Sequence, residues 1–187
     1  IGDPAVKKVG KLMGPRIIGL LGLQLVTVVA TALGSAWSGA ITYYSLANNI
    51  QTMPSAVFAN SIATALFPTI AQAAADRQTE AFKQHIMQGI RWILFLLIPA
   101  SVGLIMLRIQ VVRLILGAGF FGWESTQTTA DVLGWFAISI VAAGLVPLLA
   151  RAFYARQNTT TPMVISLVAS VVTISLSFGL ASWLPQT

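Results

Sequence analysis

Asn48, Asn49 and Gln51 put three amide side chains within four consecutive residues; Pro54 follows three positions later and Asn60 six after that. An amide donates and accepts hydrogen bonds without carrying charge, so such a cluster can hold hydroxyls, amides or stray backbone groups without the cost of desolvating an ion. Gln51 lies three residues after Asn48 and shares its helix face, whereas Asn49 is turned away by about 100°. Proline inside a helix removes one backbone hydrogen bond and crowds the carbonyl four residues earlier, so Pro54 is predicted to kink its helix near Ile50. Asn48 and Asn49 are placed to partner the backbone groups this frees. Two uses of the amides stay open: glue between helices, at about 0.6 kcal/mol per contact, or the lining of a wet cavity in a broken transporter helix.

The elements that must position these residues are membrane spans. Of 187 residues, 56% are hydrophobic and 9% charged, and the mean hydropathy is +0.81, outside the range of soluble domains. No charged residue falls between Arg16 and Asp76, while about 20 apolar residues suffice to cross the roughly 30 Å hydrocarbon core. Five spans are predicted, at about Ile17–Trp37, Ile41–Ala74, Ile90–Leu107, Ala130–Tyr154 and Pro162–Leu184. The expectation is an all-α polytopic bundle forming a single membrane domain. The second span is too long for one upright helix and carries Pro54 and Pro68, so it must tilt, kink or break. With Pro99, Pro147 and Pro162, four of the five spans carry or abut a helix breaker, which suits a protein that rocks between shapes. Arg108 and Arg113 fall among apolar residues in "RIQVVRLILGAGFFGWE", the pattern of a helix lying in the interface. The chain begins at Ile1 without a secretory pattern and reads as a piece of something longer.

Positive residues near span ends stay cytoplasmic. Lys7, Lys8, Lys11, Arg16, Arg77, Lys83, Arg91, Arg151 and Arg156 fall on one side of an alternating five-span path, Arg108 and Arg113 on the other. Nine against two places the N-terminus in the cytoplasm. The net charge of +6 therefore reads as topology and attraction to anionic lipid, not as nucleic-acid binding. Asp3, Asp76, Glu80, Glu124 and Asp131 lie outside the spans or at their edges, the one histidine, His85, lies in a polar connector, and cysteine is absent. No catalytic group, metal site or cofactor is expected, because membrane phosphate chemistry needs clustered acids or a His–Asp pair. In "ARAFYARQNTTTP", Arg151 and Arg156 mark the cytoplasmic interface and Asn158 or Thr159 caps the next helix.

"VKKVGKLMGPRIIGLLGLQL", "YSLANNIQTMPSAVFANSIATALFPTIAQAAA", "GIRWILFLLIPASVGL" and "LLARAFYARQNTTTPMVI", in this order and spacing, resemble the MurJ/MviN family of lipid II flippases. "MPSAVFANSIATALFP" and "ARAFYARQNTTTP" are the most specific pieces. The resemblance implies 14 spans in two six-helix lobes plus a terminal pair, with this chain at the start of the second lobe. It implies a non-enzymatic transporter of the bacterial cytoplasmic membrane. Its substrate would be lipid II, an undecaprenyl-pyrophosphate-linked disaccharide-pentapeptide, and its partners membrane lipids and a missing N-terminal lobe. Asn48, Asn49, Gln51, Pro54 and Asn60 would line the substrate cavity, and Arg16, Arg151 and Arg156 would face lipid phosphate at the cytoplasmic mouth. Many relatives carry arginine where Asn49 stands; an amide cannot neutralise pyrophosphate, so either other cations do so or hydrogen bonds replace them. A drug or polysaccharide-lipid exporter of the same superfamily and a non-transporting scaffold are the competing readings. Intramembrane arginines, acids or neither in the N-terminal lobe would separate these three.

Overall fold

The computed structural model of the chain describes residues 4–117 and 122–183, with the side chains of residues 4–12, 14–16, 18 and 181–183 outside that description. Seven α-helices follow one another: α1 (Pro4–Gly34), α2 (Ala40–Pro54), α3 (Asn60–Ala75), α4 (Thr79–Met106), α5 (Arg108–Leu116), α6 (Trp123–Ala155) and α7 (Thr160–Trp183). No strand occurs among the described residues. Hydrocarbon offers no water to unpaired amides and carbonyls, so a helix, which satisfies its own backbone, is the available solution for a chain this apolar.

Among the described residues, four helical stretches are long and apolar enough to cross a membrane: Ala40–Ala75, Thr79–Met106, Trp123–Ala155 and Thr160–Leu180; Gly19–Gly34 is a shorter apolar stretch. The second predicted span is divided as expected, but by a π-turn at Ser55–Ala59, and the interruption comes one turn later than Ile50. Proline cannot donate to the fourth residue back, and widening the following turn absorbs the misfit without leaving the helix. The Ser55 amide bonds the Thr52 carbonyl and the Asn60 amide reaches the Ser55 carbonyl, a tight turn followed by a wide one. α3, α4 and α6 run on through Pro68, Pro99 and Pro147.

Helix starts lie earlier than hydropathy suggested. α1 begins at Pro4 instead of Ile17, α4 at Thr79 instead of Ile90, and α6 at Trp123 instead of Ala130. Only a short turn at 76–78 separates α3 from α4. Apolar content marks the part of a helix in hydrocarbon, whereas the backbone ladder continues into the polar zone. α5 forms where an interfacial helix was expected.

The chain divides into two compact units, one of residues 1–38 with 157–187, the other Gly39–Arg156. In the first, α1 packs on α7: a Cβ on Gly19 would meet Ser166 Oγ at 2.9 Å, and one on Gly22 would meet Leu167 and Ser170 at 3.1 Å. Hydroxyls along α7 bond backward to their own helix, Ser170 to the Ser166 carbonyl and Ser177 to the Thr173 carbonyl, which keeps them satisfied in an apolar setting.

In the second unit, Ala59, Ala63, Leu66 and Ile70 meet Ile93 and Leu97 of α4 and Ala137, Ile140 and Leu148 of α6, all buried. Lipid tails are as apolar as leucine, so helices here associate through close fit, and small residues permit it. Gly144 is the tightest case: a Cβ there would run into Leu97 and lie 3.4 Å from the Ala59 Cβ. Ser101 Oγ donates to the Ala137 carbonyl at 2.5 Å and links α4 to α6 with a buried bond. The outer faces carry exposed apolar side chains, with Phe95 at 76% and Trp135 at 77%, as a bilayer-facing surface requires.

Gly144→Ala is therefore expected to lower the stability of the folded chain by about 1–3 kcal/mol through overpacking. Gly103→Ala, where an added Cβ meets open space, should be neutral or stabilise by up to about 1 kcal/mol. Thermal melts of both variants in the same detergent check the contrast.

Candidate functional site

α2 presents three faces. Ala47 and Ile50 are buried and pack with Val112 of α5 and with Ala130 and Leu133 of α6, which fixes the rotation of the helix. Beside that seam lie Asn48 and Gln51, both half-buried. They share a face as predicted and pair with each other, Gln51 Nε2 donating to Asn48 Oδ1 at 3.0 Å. On the side away from the seam, Asn49 is exposed, and so is Asn60 beyond the π-turn.

The expectation that Asn48 and Asn49 would partner the backbone freed by Pro54 is not met. Among the described residues, Asn48 bonds the Gln51 side chain, and at position 49 it is the backbone carbonyl that accepts, from Thr52 Oγ1 at 2.9 Å. The mismatch at the proline is absorbed by the π-turn instead.

Two residues expected at different parts of the site come together. Arg151 Nη1 of α6 donates to the Asn60 carbonyl at 3.2 Å, and Thr64 Oγ1 donates to the same oxygen at 2.6 Å. Arginine side chains in helices point back toward the N-terminus, so Arg151 reaches away from the end of α6 toward the π-turn. Arg156 is turned elsewhere, its guanidinium carbon 4.1 Å from the Phe82 ring centre. The side chain of Arg16 lies outside the described residues. At the next helix start, Asn158 Oδ1 accepts from the Thr161 amide at 3.1 Å, the cap the sequence suggested.

Sequence reading missed three features. Ser55 Oγ, at the head of the π-turn and on the face of Asn48 and Gln51, is buried with no hydrogen-bond partner among the described residues. Arg108 Nη2 of α5 pairs with Asp131 Oδ1 of α6 at 3.3 Å. Tyr43 and Ser125 share a hydroxyl–hydroxyl contact at 3.4 Å between α2 and α6. A serine directly after a proline was the available signal for the first; the others depend on approaches across 23 and 82 positions. Among the described residues, no three histidine, aspartate or glutamate side chains are grouped so that they could hold a metal ion.

Residues 1–185 match the family model described as Lipid II flippase MurJ. The chain belongs to the MurJ lipid II flippase family. Probable lipid II flippase MurJ of Bdellovibrio bacteriovorus is 31% identical over 175 residues, covering 93% of this chain and 34% of the relative. That of Rickettsia prowazekii is 29% identical over 175 residues, 94% of this chain and 34% of the relative. The chain thus spans about a third of the length of the curated relatives it matches. A solved structure, "Lipid II flippase MurJ, inward closed conformation", superposes with a TM-score of 0.76 at 24% identity over 91% of this chain and 40% of that one. The shared fold is that of a multi-pass membrane protein of the MurJ family.

Ser55→Ala removes a buried hydroxyl that has no partner, and is expected to raise stability by about 1 kcal/mol. The same variant in the full-length MurJ-family protein, assayed for growth, shows whether the hydroxyl serves the working cycle: a more stable protein with weaker complementation means that it does.

Proposed function

We propose that this chain is the start of the second lobe of a lipid II flippase. In this reading the whole protein moves undecaprenyl-pyrophosphate-linked peptidoglycan precursor from the inner to the outer leaflet of the bacterial cytoplasmic membrane. It works by alternating access, as a transporter without covalent chemistry. Family membership over residues 1–185 carries the proposal. The exposed amides give it a physical basis: an asparagine facing hydrocarbon has no partner, so Asn49 and Asn60 are read as facing a wet cavity completed by the missing N-terminal lobe. Asn48 and Gln51 stand beside it as a pair bonded to each other, able to exchange their mutual bond for sugar hydroxyls or peptide amides.

Arg151 answers part of the question posed by Asn49. The guanidinium that reaches the Asn60 carbonyl is a cation brought to the end of the π-turn. We assign it a share of the pyrophosphate charge, with Arg16 placed at the cytoplasmic entrance. Membrane lipids and the N-terminal lobe are the other partners.

Two experiments bear on this reading. In the full-length protein, Asn49→Leu should leave expression and folding intact and abolish complementation of flippase-depleted cells, whereas Asn49→Arg should be tolerated, since a wet cavity can hydrate the charge. A fully active Asn49→Leu together with a misfolded Asn49→Arg would mean a dry helix interface.

For orientation, cysteines introduced singly at Gln78 and Ser125 in this cysteine-free sequence should differ. An impermeant reagent applied from outside should label Ser125→Cys and leave Gln78→Cys untouched; the reverse pattern overturns the cytoplasmic N-terminus.

A further inference from the structure

Where α3 ends and α4 begins, the chain turns through Arg77 in a left-handed conformation, φ 56°. The Gln78 amide bonds the Ala73 carbonyl at 3.0 Å and the Arg77 amide bonds the Ala74 carbonyl at 3.3 Å, the double closure that ends a helix with a left-handed residue. Glycine occupies that position at least cost, because it has no Cβ to crowd the following carbonyl. Here the position holds an arginine, whose side chain borders a recess of about 450 Å³ lined by Ala73, Ala74, Arg77, Thr79, Phe82 and Arg156.

The same recess is lined by Arg156, at the C-terminus of α6. Its guanidinium carbon lies 4.1 Å from the ring centre of Phe82, which is itself buried. Stacking on a fixed ring limits the side chain to few orientations while leaving its N–H edge free to bond. Among the described residues neither Arg77 nor Arg156 has a carboxylate within ion-pair distance. The nearby acids are engaged or face elsewhere: Glu80 pairs with Lys83 at 3.6 Å, and Asp76 lines a separate recess with His85. Two uncompensated guanidiniums, one held by the helix terminus and one by an aromatic ring, therefore share a concavity.

We propose that this recess is a binding site for a phosphate group, and that its occupant is the headgroup of an anionic phospholipid. Planar guanidiniums match phosphate oxygens in pairs, more strongly than a lysine point charge does. The recess sits at the polar ends of two apolar helices, α3 and α6, the level at which lipid phosphates lie, and Ala73 and Ala74 leave room at its apolar margin. The occupant would hold the ends of α3, α4 and α6 at a constant depth. The site is separate from the amide face of α2 and does not depend on the cavity reading, so failure of the Asn49 experiment leaves it intact.

The test uses the purified protein in dodecyl maltoside, titrated with phosphatidylglycerol, phosphatidylcholine or inorganic phosphate. Hydrogen exchange of segments 76–82 and 151–156 and lipid retention in native mass spectra are the readouts. Phosphatidylglycerol should protect both segments and phosphatidylcholine should not. The double variant Arg77→Gly with Arg156→Gln should bind phosphatidylglycerol at least tenfold more weakly, and Arg77→Lys with Arg156→Lys only a few-fold more weakly. Glycine suits the left-handed position, so the melting temperature of Arg77→Gly should equal or exceed that of the parent, which separates lost binding from lost folding. Protection by inorganic phosphate alone, with none by phosphatidylglycerol, overturns the lipid assignment. Equal protection by the two lipids, or unchanged affinity in the double variant, overturns the site.

Discussion

Every buried peptide group in hydrocarbon must find its partner inside the protein, and the rest of this structure follows from that requirement. It restricts the spans to helices and leaves one costly problem, the donor missing at each interior proline. At Pro54 the chain solves it by spacing: the Ser55 amide bonds back to Thr52, the Asn60 amide reaches over to Ser55, and the helix continues through a single π-turn. The hydroxyls obey the same rule. Thr64, Thr69, Thr129 and Ser166 each bond a carbonyl three or four residues back, so they occupy apolar helices without stranded protons. Ser55 Oγ, buried and without a partner among the described residues, departs from this pattern at the head of the π-turn.

The second constraint is that apolar helices gain nothing by leaving lipid for one another unless they fit closely. In the unit of residues 39–156, glycine and alanine supply that fit. Gly144 admits Leu97 beside Ala59, and Gly89 lies where a Cβ would meet Leu66 and Leu148 at 2.8 Å. The π-turn stands at this crossing, with Ala59 buried in the shared core. Irregular backbone and closest packing thus coincide, so a change in the angle of α3 about the π-turn would be felt by α4 and α6 together.

Charge is kept from the middle of the spans and concentrated at their ends. Arg108 and Asp131 neutralise one another where α5 meets α6. Arg113 stacks 5.2 Å from the Trp123 ring centre, and Arg156 stacks on Phe82. Arg151 reaches inward from the end of α6 to a backbone carbonyl, which lowers the cost of an arginine there. The amides of α2, Asn48, Asn49 and Gln51, stand in a helix that carries no charged residue.

The sequence by itself determined the all-helical membrane class and the family. Hydropathy and proline placement are local properties, and local properties survive being read one residue at a time. The shared face of Asn48 and Gln51 followed from helix periodicity alone, and so did the Asn158 cap from its position before α7. Hydropathy could not reveal that α1, α4 and α6 extend past the hydrocarbon, since a polar helix and a polar loop share a composition. Only the tertiary structure shows that the helix passes Pro54 through a π-turn, whose Ala59 lies beside Gly144. It also joined Arg151 to Asn60 across 91 positions and brought Arg77 and Arg156 to one recess. Those pairings arise from the packing of α3, α4 and α6, and nothing in the order of residues along one helix encodes which side chain of another will reach it.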